Sequence, residues 1–281
     1  MSESNQNYKE LAIPFFREVF ELIDDVLKNR GIPYYLIGVS AIALEMLKKG
    51  IKPARGTKDI DFAIMISSLD QFEEVVGDLE IAGFDKVEAP CTLVHPEYDV
   101  VVDLLPFGEI EENNTVGFNK RYTYLHVLGF KEVMKDSREY EIEDRLVHIP
   151  PLPGMVLLKL VAWSDCPEDR GNDPYDILRI IEYYNDLEFD TNMLEHFDLI
   201  PEENDFDDRL FSARILGRKA KAYLDESEDL ETRIFEVLEE NTVDAEESRI
   251  AKYWATEKGW DLEYCVALLE EFKAGLSEGV S

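Results

Sequence analysis

Asp59 and Asp61 stand one residue apart in Arg55-Gly56-Thr57-Lys58-Asp59-Ile60-Asp61-Phe62, and this pair restricts the fold more than any other feature of the chain. Ile60, Phe62, Ala63, Ile64, Met65 and Ile66 make the segment read as a buried strand, and alternation then points both carboxylates to the same side. Like charges side by side repel. A strand tolerates them when something cationic lies between, and a divalent metal with oxygen ligands is the usual occupant. The competing reading is a solvated strand end with two surface acids, and the flanking sequence decides between the two.

Apolar residues recur at helical spacing from Tyr8 to Asn29, with Leu11, Phe15, Val19, Leu22 and Val26 on one stripe, which predicts a packed helix ended by Gly31. Pro33 to Ile37 reads as a short buried strand that stops at Gly38-Val39-Ser40, and Ala41 to Lys49 resumes a helical pattern closed by Gly50. After the strand at Asp59 to Ile66, Ser68 with Gln71 is a capping-box signal for a helix through Ile81, with Gly83 at its end. Phe84 to Val87 and Thr92 to His95 are short strand candidates, Asp99 to Leu105 is a strong one, and Tyr122 to Leu128 and Leu146 to Ile149 are expected as edge strands. This order predicts an α/β domain built on a mostly buried sheet.

Beyond Pro150-Pro151-Leu152-Pro153-Gly154 only helical periodicity remains, over Met155 to Trp163, Pro174 to Asn185, Asp207 to Leu224, Leu230 to Glu240 and Leu262 to Ala274. Leu210, Ala213, Leu216, Gly217, Ala220 and Leu224 form a narrow seam of small and apolar residues that suits close helix packing. The expected organisation is a first domain over residues 1–150 and a helical domain with an acidic tail over 151–281.

With 61 acidic and 29 basic residues the formal net charge is −32. Such a field repels a polyanion at long range, which argues against broad nucleic-acid binding through phosphate neutralisation. Much of the excess lies in Pro201 to Asp208, Asp225 to Asp229 and Glu236 to Glu247, read as solvated helix faces and loops. The polar start, Met1 to Lys9, lacks a cationic segment followed by an apolar run, and no later stretch is long enough to span a bilayer. The expected location is therefore cytoplasmic, with no membrane partner. Cys91, Cys166 and Cys265 are scattered without short spacing, which points to reduced thiols rather than a disulfide framework or a zinc site.

Three features line up in chain order: the strand-to-helix turn Gly38-Val39-Ser40, the pair Asp59 and Asp61, and Asp103 inside the apolar strand Val100 to Leu105. A carboxylate in so apolar a strand is costly unless it reaches a metal, a partner or the edge of the sheet. Gly38 lets backbone approach a ligand closely, and Ser40 opens a helix whose N–H groups and positive dipole end suit phosphate oxygens. Ser is also a common N-cap, and that is the plain alternative for Ser40.

Gly38-Val39-Ser40, Asp59-Ile60-Asp61 and Asp103 together resemble the signature of the polymerase-beta-like nucleotidyltransferase superfamily. Leu36 to Ala41, Arg55 to Phe62, Val102 to Gly108 and Leu157 to Trp163 look like its AbiEii-type branch, known for toxins of toxin–antitoxin systems. Asn172 to Ile177 and Ala213 to Arg218 extend the likeness into the helical half. The resemblance implies a mixed sheet flanked by helices, an α/β (α+β) fold, followed by a helical domain. It also implies transfer of a nucleoside monophosphate from an NTP to an acceptor hydroxyl, with Mg2+ or Mn2+ as cofactor. Asp59 and Asp61 would then hold the metal of the triphosphate, and Asp103 with them a second metal. Gly38, Val39 and Ser40 would cradle phosphates, and Lys159 and Asp173 would complete the nucleotide contacts.

Arg55 and Lys58 either contact phosphate or offset the local negative charge, and Lys120, Arg121, Arg214, Arg218, Lys219 and Lys221 are candidates for an acceptor path. Val39 stands where relatives have a small residue, and Cys166 and Asn172 where relatives often carry basic ones. These departures motivate the alternative of a nucleotide-binding regulatory protein with little or no turnover. As partners the resemblance implies an unknown acceptor and a cognate antitoxin protein.

Overall fold

A computed structural model describes residues 6–11, 13–53, 58–118, 123–142, 144–201 and 206–278. The chain divides into two compact units, Met1–Pro151 and Leu152–Ser281. The first is a mixed α/β unit and the second is helical.

In the first unit a 3-10 turn at Gln6–Leu11 precedes helix α1 (Phe16–Asn29), strand β1 (Tyr34–Ile37) and helix α2 (Gly38–Leu47). The single helix expected from Tyr8 is thus divided. Pro14 cannot donate to a helical ladder, and Phe15 takes a left-handed conformation at φ 56° before α1 begins. Strand β2 (Asp59–Ile66), helix α3 (Leu69–Ile81), strands β3 (Asp85–Lys86), β4 (Thr92–His95) and β5 (Val100–Gly108) follow. Ser68 caps α3 by accepting from the Gln71 N–H, while the Gln71 side chain accepts from the N–H of Ser67, one residue before the cap. Strands β6 (Thr115–Phe118) and β7 (Thr123–His126), helix α4 (Phe130–Met134), and strands β8 (Arg138–Ile142) and β9 (Arg145–Ile149) complete the unit.

Seven strands form one sheet in the order β3-β4-β5-β2-β1-β9-β8, and β6 with β7 makes a separate two-stranded sheet. β2 is parallel to β5 and antiparallel to β1, while β1 is parallel to β9. Two expectations change here. The Tyr122 to Leu128 segment, whose first residue lies outside the described residues, supplies β7 of the small sheet, and β9 is an inner strand because β8 forms a hairpin with it. β8 escapes sequence pattern because three of its five residues, Arg138-Glu139-Tyr140-Glu141-Ile142, are charged.

One face of β2 is wholly apolar and buried, with Ile60, Phe62 and Ile64 fully covered. Phe62 stacks on Phe20 of α1 and meets the edge of Tyr34, and α1 packs against α3. On α1 the buried Asp24 accepts from Tyr34 and from the partly exposed Lys28 and Arg145. With the core committed to that face, alternation leaves Asp59, Asp61 and Asp103 on the other.

The second unit contains α5 (Leu152–Asp165), α6 (Asn172–Leu187), α7 (Phe189–Glu195), a 3-10 turn at Phe197–Leu199, α8 (Asp208–Leu224), α9 (Glu228–Thr242), α10 (Arg249–Lys258) and α11 (Leu262–Glu278). The predicted seam on α8 packs against α11 so closely that a Cβ at Gly217 would lie 2.2 Å from the Phe272 carbonyl oxygen, and one at Gly275 would lie 2.1 Å from that of Arg214. Among the described residues no helix is long and apolar enough to cross a membrane, and the three cysteines are free thiols.

Candidate functional site

The site begins with a rung across four strands. In the parallel ladder Asp61 lies directly beside Asp103, Ile37 of β1 is the partner of Asp61 on its other side, and Thr92 of β4 is the partner of Asp103. Paired residues on neighbouring strands point to the same face, so the two carboxylates are side by side, both half-buried. Asp59 shares that face two residues back, exposed at the start of β2 opposite Val101. Among the described residues no group of three or more His, Cys, Asp or Glu side chains is close enough to hold a metal ion. The three aspartates share a face without forming a closed ligand shell.

The chain leaves β1 at Ile37 and turns at Gly38, which takes φ +66° and opens α2. A Cβ at Gly38 would lie 2.0 Å from Asp61 Oδ2, so the carboxylate rests against the bare Cα. Glycine is required twice here, for the left-handed backbone and for the close approach. Val39 is half-buried in the first turn of α2. The capping alternative for Ser40 is not realised: Ile37 holds the N-cap position, with no side-chain cap, and Ser40 lies within the helix. The residue is 1% exposed, and its buried hydroxyl has no hydrogen-bond partner among the described residues. A buried hydroxyl without a partner at a helix N-terminus, where N–H groups lack intrahelical acceptors, is suited to an anion.

Asp103 Oδ1 accepts a hydrogen bond of 2.5 Å from the Thr92 hydroxyl, a contact that strand pattern alone did not bring out. The Cys91 carbonyl accepts from the Leu104 N–H, and its thiol is pushed up to about 12 by burial and by the charge of Asp103. Tyr35, two residues before Ile37 on the same face, packs its ring on Phe107 and His148. Oxygen-only donors suit a hard divalent cation, so the paired carboxylates of Asp61 and Asp103 match Mg2+ or Mn2+ in donor type.

The basic candidates are distributed otherwise. Lys58 pairs with Asp99 at the surface, whereas Arg55, Lys120 and Arg121 lie outside the described residues. In the second unit Lys159 donates to Asp173 Oδ1 at 2.9 Å and to Asp176 Oδ2 at 2.8 Å. Burial disfavours the ammonium, but Asp176 and Asp173 outweigh it and hold its pKa above the ordinary 10.5. Asp173 is not the N-cap of α6, a position taken by Gly171. Its Oδ2 is buried without a hydrogen bond among the described residues, with Arg170 3.9 Å away. Arg214 is engaged by Glu271 and Glu278, Arg218 by Asp198 and Glu278, Lys219 by Glu188, and Lys221 by Asp225. Of the cations expected along an acceptor path, the four among the described residues, Arg214, Arg218, Lys219 and Lys221, are therefore held in ion pairs within their own unit.

No family model and no curated protein matches the chain. Among solved structures it is similar to ANT(2")-Ia in complex with adenylyl-2"-tobramycin, at 14% identity over 53% of this chain and 77% of that one, with a TM-score of 0.37. An antigenic nucleotidyltransferase-like protein from Paracoccidioides brasiliensis gives 16% identity over 80% and 92%, with a TM-score of 0.40. The Thermotoga maritima CCA-adding enzyme complexed with tRNA gives 15% over 97% and 66%, with a TM-score of 0.32. At these scores the similarities carry neither an activity nor a substrate from those proteins to this one.

Proposed function

We propose that the chain is a metal-dependent nucleotidyltransferase that moves a nucleoside monophosphate from an NTP to an acceptor hydroxyl. Support comes from one juxtaposition: Asp61 and Asp103 paired across parallel strands, beside a Gly38 turn whose Cα meets the Asp61 carboxylate and whose helix carries the buried Ser40 hydroxyl, without a hydrogen-bond partner among the described residues. In this proposal Asp59, Asp61 and Asp103 hold Mg2+ or Mn2+, which when bound supplies Lewis-acid stabilisation of charge on the phosphoryl oxygens. The Ser40 hydroxyl and the first N–H groups of α2, at Gly38 and Val39, donate to the phosphates. The acceptor oxygen attacks the α-phosphorus, the bond from that phosphorus to the bridging oxygen breaks, and pyrophosphate leaves in line while Asp103 takes the acceptor proton. Lys159 and Asp173 enter this proposal through the sequence resemblance alone. The same resemblance underlies the role of toxin with a cognate antitoxin.

The test is incubation of the full chain with magnesium, each α-labelled NTP and cell extract, beside Asp61→Asn. Label transfer with pyrophosphate release by the parent protein only is expected. Equal labelling by both, or none with any nucleotide, would remove the proposal, and tight nucleotide binding without pyrophosphate would favour the regulatory alternative. For the toxin role, expression should arrest growth and Asp61→Asn should relieve it.

A further inference from the structure

Thr92 lies directly opposite Asp103 in the antiparallel β4–β5 pair, and its hydroxyl donates to Oδ1 at 2.5 Å. Register creates this contact. Directly opposed residues bring their side chains within reach of each other, and the Leu104 N–H to Cys91 carbonyl bond, at 2.8 Å, pins the two backbones just beside the pair. A β-branched residue is stiff about its first side-chain torsion, so the direction of the hydroxyl is set by the strand. Asp103 is only half-buried, and a carboxylate in that position has several rotamers open to it unless something holds it. The hydroxyl engages Oδ1 of a carboxylate whose residue shares its sheet face with Asp61.

We propose that Thr92 is a positioning residue for Asp103, its hydroxyl fixing the carboxylate beside Asp61 in the orientation that receives a divalent cation. This rests on the reading of Asp61 and Asp103 as metal ligands. Groups that hydrogen-bond to metal ligands fix their orientation, and their loss commonly costs ~10- to 100-fold in metal affinity. Threonine suits the task better than a longer donor because it adds no flexible torsion and matches the strand's preferred residue types.

The experiment titrates Mn2+ into the full-length protein by electron paramagnetic resonance and follows thermal unfolding on the same samples. It compares the parent with Thr92→Val, Thr92→Ser and Asp103→Asn. Valine keeps the shape and the branching while removing the donor, and serine keeps the donor. Thr92→Val is expected to weaken Mn2+ binding by ~10-fold or more, with Thr92→Ser recovering most of the loss and both variants folding. Mn2+ affinity untouched by Asp103→Asn would overturn the ligand reading itself. Affinity lost in Asp103→Asn but retained in Thr92→Val would overturn the role of Thr92 alone, and so would equal losses in the valine and serine variants. A lowered melting temperature at parental Mn2+ affinity would make Thr92 a structural cross-strand pair and equally overturn the proposal.

Discussion

Gly38 and Gly31 share the same backbone angle, φ +66°, yet differ in what surrounds them, and this allows strain to be separated from close approach. A Cβ at Gly31 meets nothing within 4 Å among the described residues, whereas one at Gly38 would sit 2.0 Å from Asp61 Oδ2, 2.9 Å from its Cγ and 3.2 Å from its Cβ. Gly31→Ala should therefore cost only the left-handed penalty of an L-residue, about 1–2 kcal/mol. Gly38→Ala carries that penalty plus overpacking of about 1–3 kcal/mol, because the carboxylate must swing away. Combining Gly38→Ala with Asp61→Ala removes the two nearest atoms and leaves the Asp61 Cβ at 3.2 Å, a contact that a small shift relieves. The double variant should thus be more stable than the sum of the singles by about 1–3 kcal/mol. Urea unfolding followed by circular dichroism measures the cycle. Nucleotide transfer measured in parallel should fall by about 100-fold in Gly38→Ala, since a displacement near 1 Å at a reacting centre has that effect. Gly38→Ala no more destabilising than Gly31→Ala, with no coupling to Asp61, would refute this account of the turn.

Replacing Lys159 by Met leaves Asp173 and Asp176 buried without their shared cation, a loss of about 3–5 kcal/mol that a melting scan would detect as a lowered transition. Because the pKa of Lys159 is raised in the fold, its contribution is complete below the ordinary 10.5 and should decline only as pH climbs above it. Asp24 behaves oppositely. Burial opposes its ionisation, but hydrogen bonds from Tyr34, Lys28 and Arg145 outweigh that and hold its pKa below 3.8. Its stabilisation is present above pH 3.8 and lost as pH falls through the depressed value, so the stability gap between parent and Asp24→Asn should narrow in acid. Gly275→Ala drives a methyl into the Arg214 carbonyl and should lower the melting temperature through overpacking of about 1–3 kcal/mol, and a parental melting curve would contradict the α8–α11 contact.

Much of the local structure is legible in the chain because local chemistry determines it. Alternation marks β2 over the residues at which it occurs, Ser68 and Gln71 mark the start of α3, and Gly83 follows its end at φ +107°. The small residues of α8 announce a close helix neighbour, though not that α11 supplies it with a matching Gly275. Pattern fails where a single residue overrides periodicity, as Pro14 does between the 3-10 turn and α1. It also fails where an element is short and charged, as in β8.

By itself, then, the sequence determined which residues share a strand face and which turn must bend, since these depend on neighbours one to four positions away. Only the tertiary structure decided that Asp61 lies beside Asp103, that Asp61 rests on the Cα of Gly38, and that Thr92 completes the rung. Strand order and register depend on which distant segments bury one another's apolar faces. The same dependence assigns Lys159 to two aspartates of α6, a pairing that its own helix does not disclose.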